Sequence, residues 1–231
     1  MKEIPTASVD MILCDLPYGT TQCKWDIFIP FDLLWEQYVR IAMPNAAIVL
    51  FGNEPFSSQL RLSNRNMYRY DWIWEKTKAQ GFLNAKKMPL KAHEVISVFS
   101  KNPTRYYPQG LVKGIYNNYR DSKLNKVDDV YGNERKFPSS QYGNYPKSVL
   151  KFSNKSGAKQ LHPTQKPVDL CEYLIRTYTK EGDIVLDNCM GSGSTGVAAL
   201  NTNRRFIGIE LDPTYCGIAK ERIQHVVSGI S

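Results

Sequence analysis

Apolar and polar positions along the chain alternate between short apolar runs and stretches of helical spacing. Residues 9–14 form a short, mostly apolar run that predicts a strand ending just before Asp15-Leu-Pro-Tyr-Gly. Residues 31–42 predict a helix whose apolar face carries Phe31, Leu34, Trp35, Tyr38 and Ile41. Pro44-Asn45 breaks that helix, and 46–51 is a continuous apolar strand. Glu54-Pro55 opens a second helix toward Asn66, with proline at a position where the first turn needs no amide. Strands follow at 70–75 and 94–99, joined by a lysine-rich loop through Gly81 and Lys86-Lys87. Periodicity stops at Lys101 and resumes at Pro167, which opens a helix through Tyr178 with Gly182 just past its end. A strand at 183–187, a helix at 195–200, a strand at 205–210 and a closing helix at 213–227 complete the pattern. Six strands, most followed by a helix, predict an open, mostly parallel α/β sheet.

The stretch 184–212 carries the first candidate chemistry. An apolar run ends in Asp187 and enters the turn Asn-Cys-Met-Gly-Ser-Gly-Ser-Thr. Gly191 and Gly193 allow a sharp turn and close approach to a ligand, and Gly196 allows the helix to pack tightly on the sheet. Glu210, ending the next strand, is placed to accept hydrogen bonds from two ribose hydroxyls. No Gly-Lys-Ser/Thr follows, which excludes a phosphate-cradling nucleoside triphosphatase loop. A dinucleotide site stays open on this segment alone. Asp187 argues against it, because a carboxylate beside the turn suits a cationic amino acid moiety better than a pyrophosphate. The second candidate is Asp15-Leu16-Pro17-Tyr18, at the carboxyl end of the first strand, where open α/β sheets place ligands. Asp15 and the Leu16 carbonyl can accept hydrogen bonds from an amino group, and Tyr18 offers a face to a planar base. An ordinary strand-to-loop turn accounts for the same four residues equally well.

At 231 residues the chain is long enough for one α/β domain plus a sizeable insertion. No apolar run is long enough to cross a membrane, and no signal-peptide pattern opens the chain. Cysteines 14, 23, 171, 189 and 216 stand singly among three histidines, which argues against a metal site or disulfide framework and for a reducing cytoplasm. The net charge of +8 is local. Residues 101–160 hold 12 of the 30 Lys and Arg but 4 of the 22 Asp and Glu, leaving the rest neutral. Seven of the 14 tyrosines lie between 106 and 145. A disordered basic linker is the plain alternative, but aromatics are unusual there. Basic residues interleaved with aromatics suit phosphate contacts and stacking on bases.

Taken together, the motifs resemble those of the amino-methylating DNA methyltransferases that carry Asp-Pro-Pro-Tyr and use S-adenosylmethionine. Asp15-Leu-Pro-Tyr18 matches that motif with Leu16 in place of the first proline. The turn from Asp187 to Thr195 is similar to the family's cofactor motif, with Cys189 where an aromatic usually lies against the cofactor. His162-Pro-Thr-Gln-Lys-Pro167 matches a third motif that opens a helix near the cofactor. Catalytic motif first and cofactor motif last is the order of the circularly permuted beta class. The resemblance implies a Rossmann-like methyltransferase sheet with helices on both faces and a basic insertion. It divides the chain into a catalytic half at 1–100, a target-recognition insertion at 101–160 and a cofactor-binding half at 161–231. Such proteins usually begin with a further strand ending in Gly-Asp, whose Asp contacts the cofactor adenine. Met1 falls too late to include it, so weakened cofactor affinity or loss of turnover is an expectation.

The implied activity is methyl transfer to the exocyclic amine of a base flipped out of double-stranded DNA. Adenine N6 is favoured because relatives with Asp at the first motif position mostly act there, and cytosine N4 is the alternative. Asp15, Leu16, Pro17 and Tyr18 would be the catalytic residues. Asp187, Cys189, Gly191, Ser192, Gly193, Ser194, Thr195 and Glu210 would bind S-adenosylmethionine, with Thr164 and Lys166 near its carboxylate. Beta-class relatives are often homodimers, and some of these enzymes accompany a cognate restriction endonuclease. A non-catalytic DNA-binding remnant, and methylation of RNA or of a protein amide, are the competing classes. Cys14 and Cys23 need no role in this reaction. His93-Glu94 before a strand has the look of an acid–base pair, but His93 reads as a satisfied structural histidine, and Trp72 and Trp74 read as packing residues.

Overall fold

A computed structural model describes residues 1–19, 26–116, 140–154 and 165–229. The chain forms two compact units, Met1–Tyr107 with Ser148–Ser231, and Pro108–Lys147. In the larger unit the elements follow as β1 (Val9–Cys14), α1 (Phe31–Ile41), β2 (Ala42–Gly52), α2 (Phe56–Ser63), β3 (Tyr68–Gln80) and β4 (Lys91–Phe99). The smaller unit holds the antiparallel pair β5 (Val112–Tyr116) and β6 (Ser140–Gly143). The larger unit resumes with β7 (Val149–Phe152), α3 (Val168–Tyr178), β8 (Ile184–Asp187), α4 (Ser194–Asn201), β9 (Arg205–Gly208) and α5 (Pro213–Val227).

Seven strands pair in the order β7-β3-β4-β2-β1-β8-β9. Six run in one direction and β4 runs against them, between β3 and β2. Strand alternation sends side chains to two cores. Ile12, Cys14, Ile48 and Leu50 face α1 and α2, where Leu34, Trp35, Tyr38, Phe56 and Leu60 close over them. Met11, Leu13, Ala47, Val49 and Phe51 face α3 and α4, meeting Leu170, Leu174, Ile175 and Ala199. Helices therefore cover both faces, as the expected architecture requires. Each fully buried leucine or isoleucine contributes about 1.5–3 kcal/mol, so these two layers fix the strand order.

Several boundaries differ from the sequence pattern. β2 begins at Ala42, through Pro44-Asn45, because its first residues already pair with β1 across an irregular register. α2 starts after Pro55, which is its N-cap, and ends at Ser63. α3 ends on an extended Thr179, and Gly182 serves the turn before β8, with φ of 81°. β9 stops at Gly208, two residues before Glu210. β7 lies where no periodicity was visible. It is a four-residue edge strand with Leu150 its single buried residue, and so carries almost no pattern.

Candidate active site and cofactor turn

Chain connections diverge between β1 and β8: β1 leads through α1 to β2 on one side, and β8 through α4 to β9 on the other. This is a topological switch point, which leaves a crevice outside the carboxyl ends of the two strands. Asp15 follows β1 directly and Asp187 ends β8, so both predicted acids flank that crevice.

Asp15 is held from two sides. The Tyr18 hydroxyl donates to its Oδ1 at 2.7 Å, and the Lys166 ammonium donates to its Oδ2. Lys166 lies just before α3, and its side chain is 10% exposed. The same ammonium stands 3.6 Å from Glu94 Oε2, and Lys76 Nζ donates to Glu94 Oε1 at 2.5 Å. Two carboxylates and two ammoniums thus form one buried row from β3 to the end of β1. Burial alone would raise the Glu94 carboxyl, but Lys166 and Lys76 outweigh it and hold it below the usual carboxylate range. Burial would lower the Lys166 ammonium, yet Asp15 and Glu94 raise it, so it stays charged. Burial first, then the charges of Asp15 and Glu94, push the Tyr18 phenol well up, which keeps its proton available to Asp15. The Tyr18 ring lies against Phe56 with centroids 4.7 Å apart, leaving the tyrosine half-buried. Leu16 is buried and Pro17 half-buried between these groups.

Across the crevice the glycine turn is closed by backbone bonds. Gly193 N donates to Met190 O at 2.8 Å, and Met190 N donates to Ile209 O at 3.1 Å. Gly193 has φ of 81° and is the N-cap of α4; a Cβ there would stand 2.9 Å from the Ala219 Cβ of α5. At Gly196 a Cβ would meet Ile223 at 2.6 Å and Phe206 at 2.7 Å, so this glycine lets α4 approach both α5 and β9. Glu210 accepts from Gly191 N at 2.8 Å with one oxygen and from Asp212 N at 2.9 Å with the other. Arg222 of α5 donates to the Ser192 carbonyl at 2.5 Å and clamps the turn from behind.

Asp187 is 4% exposed and pairs with no lysine or arginine among the described residues. It accepts from Cys189 N at 3.1 Å. Burial raises its carboxyl to about 6, against the pull of the Thr195 hydroxyl and the Cys189 amide. Ser194 Oγ, at the start of α4, is buried without a hydrogen-bond partner. A buried acid lacking a cation, an orphan hydroxyl and the open amides of a helix start form a polar cradle that fits an amino acid moiety with its ammonium toward Asp187. Cys189 packs beside the buried Cys14, whose thiol is pushed well up by burial and by Cys189.

The structure brings Asp15, Leu16, Pro17, Tyr18, Lys166, Asp187, Cys189, Gly191, Ser192, Gly193, Ser194, Thr195 and Glu210 to the carboxyl side of the same sheet. Thr164, with His162 and Pro163, lies outside the described residues. His93, expected to be a satisfied structural histidine, is exposed on β4, while its neighbour Glu94 belongs to the charged row at Asp15. Lys76, Phe56 and Arg222 had no local sequence signal. Leu211, directly after Glu210, is 92% exposed. Trp72 and Trp74 are buried, and their indoles donate to the Tyr178 hydroxyl at 2.6 Å and the Phe152 carbonyl at 3.0 Å.

Comparison with known proteins agrees with this arrangement. The N6/N4 methyltransferase family model, described as DNA methylase, matches residues 9–221. The chain is 29% identical to the Type II methyltransferase M.HpaI of Haemophilus parainfluenzae over 99% of its own length and 72% of that protein. It superposes on the M1.HpyAVI–SAM complex with a TM-score of 0.66 at 23% identity, covering 94% of this chain and 89% of the other. The cytosine-N4-specific PvuII DNA methyltransferase shares the fold with a TM-score of 0.65 at 16% identity, covering 99% and 89%. The chain therefore belongs to the N6-adenine/N4-cytosine family of DNA amino-methyltransferases.

Proposed function

We propose that this chain methylates the exocyclic amine of a base flipped out of duplex DNA, with adenine N6 the favoured target. The observation that carries the reading is Asp15, fixed by Tyr18 and Lys166 on one side of a crevice whose other side holds the buried Asp187, which has no lysine or arginine partner among the described residues. S-adenosylmethionine supplies a methyl group on a sulfur that is already cationic, so what the chain contributes is position. Asp187 takes the ammonium of its amino acid moiety, the turn from Gly191 to Thr195 surrounds that moiety, and Glu210 receives the ribose hydroxyls. Asp15 and the Leu16 carbonyl draw the hydrogens of the target amine and aim its lone pair. Tyr18, backed by Phe56, stacks on the base once it has left the duplex. Lys166 acts on the Asp15 side of the crevice, matching the charge of Asp15 and Glu94.

The insertion at 101–160, with its excess of lysine and arginine and its tyrosines, is assigned target recognition between the catalytic half at 1–100 and the cofactor half at 161–231. The motif order supports the circularly permuted beta class. Adenine is favoured over cytosine by the aspartate at position 15.

The test is incubation with isotopically labelled S-adenosylmethionine and unmethylated duplex DNA, followed by nucleoside mass spectrometry. Labelled N6-methyladenine is the expected product. N4-methylcytosine would keep the mechanism and overturn the base. Bound DNA with no labelled nucleoside would overturn the catalytic reading in favour of a binding remnant.

A further inference from the structure

The β3–β4 hairpin runs past the sheet on the side of the active site. Lys76 is the last buried residue of β3 and Glu94 the first buried residue of β4; none between them is buried. Those two residues form the outer end of the charged row that reaches Asp15 through Lys166. The hairpin thus rises directly from the catalytic crevice, its tip at most about 20 Å along the strand from Lys76. Its tip is built, not loose. Gly81, with φ of 92°, caps a short 3₁₀ turn at Phe82–Asn84, and Asn84 N, Ala85 N and Lys87 N donate to Gly81 O, Phe82 O and Asn84 O at 2.8–3.1 Å.

This ordered tip presents three large apolar side chains to solvent: Phe82 at 65% exposure, Leu83 at 102% and Met88 at 58%. From Lys76 to His93 there are five lysines and no aspartate or glutamate. A partner that welcomes apolar side chains ringed only by positive charge must be a polyanion with an apolar interior. Stacked bases between phosphates have that chemistry.

We propose that the tip is a wedge: Phe82, Leu83 and Met88 enter the base stack and hold open the gap left by the flipped target, while Lys78, Lys86 and Lys87 take flanking phosphates. The proposal rests on the reading of duplex DNA as substrate. Base flipping leaves a gap the width of one base, and apolar side chains inserted between base steps keep neighbours from closing it. A wedge on a hydrogen-bonded turn needs little ordering on contact.

The experiment compares wild type with Phe82→Ser/Leu83→Ser/Met88→Ser, and with Leu83→Ser alone, on two substrates. One is a duplex whose methylated base has been mapped with the wild-type enzyme; the other is that duplex with an abasic site opposite the target. The triple variant, with unchanged thermal unfolding, is expected to methylate the intact duplex about 10- to 100-fold more slowly, and the pre-opened one within about twofold of wild type. Lys86→Gln/Lys87→Gln is expected to lower the salt slope of DNA binding by about two. Equal loss on both substrates, or loss on neither, overturns the wedge. Unchanged methylation together with lost binding to phosphatidylserine vesicles would assign the tip to a lipid surface instead. Wild type methylating neither substrate would take down the DNA reading itself, and the wedge with it.

Discussion

Replacing Asp187 with asparagine should stabilise the ligand-free protein while destroying its hold on the methyl donor. The carboxyl is 4% exposed and is raised from an ordinary 3.8 to about 6, chiefly by burial. A carboxyl raised in the folded state binds its proton more tightly there than in the unfolded chain. Stability is therefore full when the group is protonated, and falls as pH climbs through about 6. At about 1.4 kcal/mol for each tenfold change in proton affinity, the ionised group costs the empty fold about 3 kcal/mol at pH 8. Asparagine removes that cost but weakens the hydrogen bonds from Cys189 N and Thr195, worth about 1 kcal/mol together. The net gain at pH 8 is about 2 kcal/mol, a rise in Tm of about 4–8 °C for a chain of this size. Near pH 4 the gain should vanish, because the wild-type carboxyl is then protonated. Urea unfolding at both pH values measures the difference, and calorimetry with S-adenosylmethionine measures the affinity, expected to fall at least tenfold as a charge-assisted contact is lost. A variant that is no more stable at pH 8, or that gains equally at both pH values, would refute the account of Asp187 as a strained acid awaiting a cation. Undiminished cofactor affinity would refute its role toward the ammonium.

Glu94→Gln should destabilise the fold by about 3 kcal/mol at pH 7, because it leaves Lys76 and Lys166 short of a buried partner. Since the Glu94 carboxyl is held below its ordinary range, this contribution is present above that range and lost as pH falls through the lowered value. The Tm deficit of the variant should therefore shrink in strong acid. Gly193→Ala forces an L side chain into φ of 81° and places its Cβ 2.9 Å from that of Ala219, for a loss of about 2–3 kcal/mol. The paired change Ala219→Gly should restore only the steric part, as thermal unfolding would report. Tyr18→Phe keeps the stack on Phe56 but removes the hydrogen bond to Asp15, and should lower kcat about tenfold with little change in cofactor affinity. Tyr18→Ala should fall much further; equal rates for the two would deny the ring any part in holding the base.

The sequence made one layer of this molecule legible and hid another, for a physical reason. Local periodicity and capping reveal what neighbours in the chain do together. α1 buries the Leu34, Trp35, Tyr38 and Ile41 face that its spacing predicted, and Asp212 caps α5 ahead of Pro213 through bonds from Thr214 N and Tyr215 N. The glycine turn was equally readable, because Asp187, Gly193 and Glu210 are brought together within a single strand–turn–helix–strand unit. Lys166 was not. Its motif points to the cofactor carboxylate but says nothing of its pairing with Asp15, 151 residues away, and with Glu94 on the reversed strand β4. Glu94 reaches that place only because β4 runs antiparallel between β2 and β3, a topology no local pattern announces. These distant pairings explain the contrast between the two sides of the crevice. At the end of β1 the fold assembles two acids with two ammoniums, so the charge of Asp15 is paired and its carboxylate held in place. At the end of β8 it buries Asp187 without a lysine or arginine among the described residues, and on the proposed function the missing cation is the ammonium of the methyl donor.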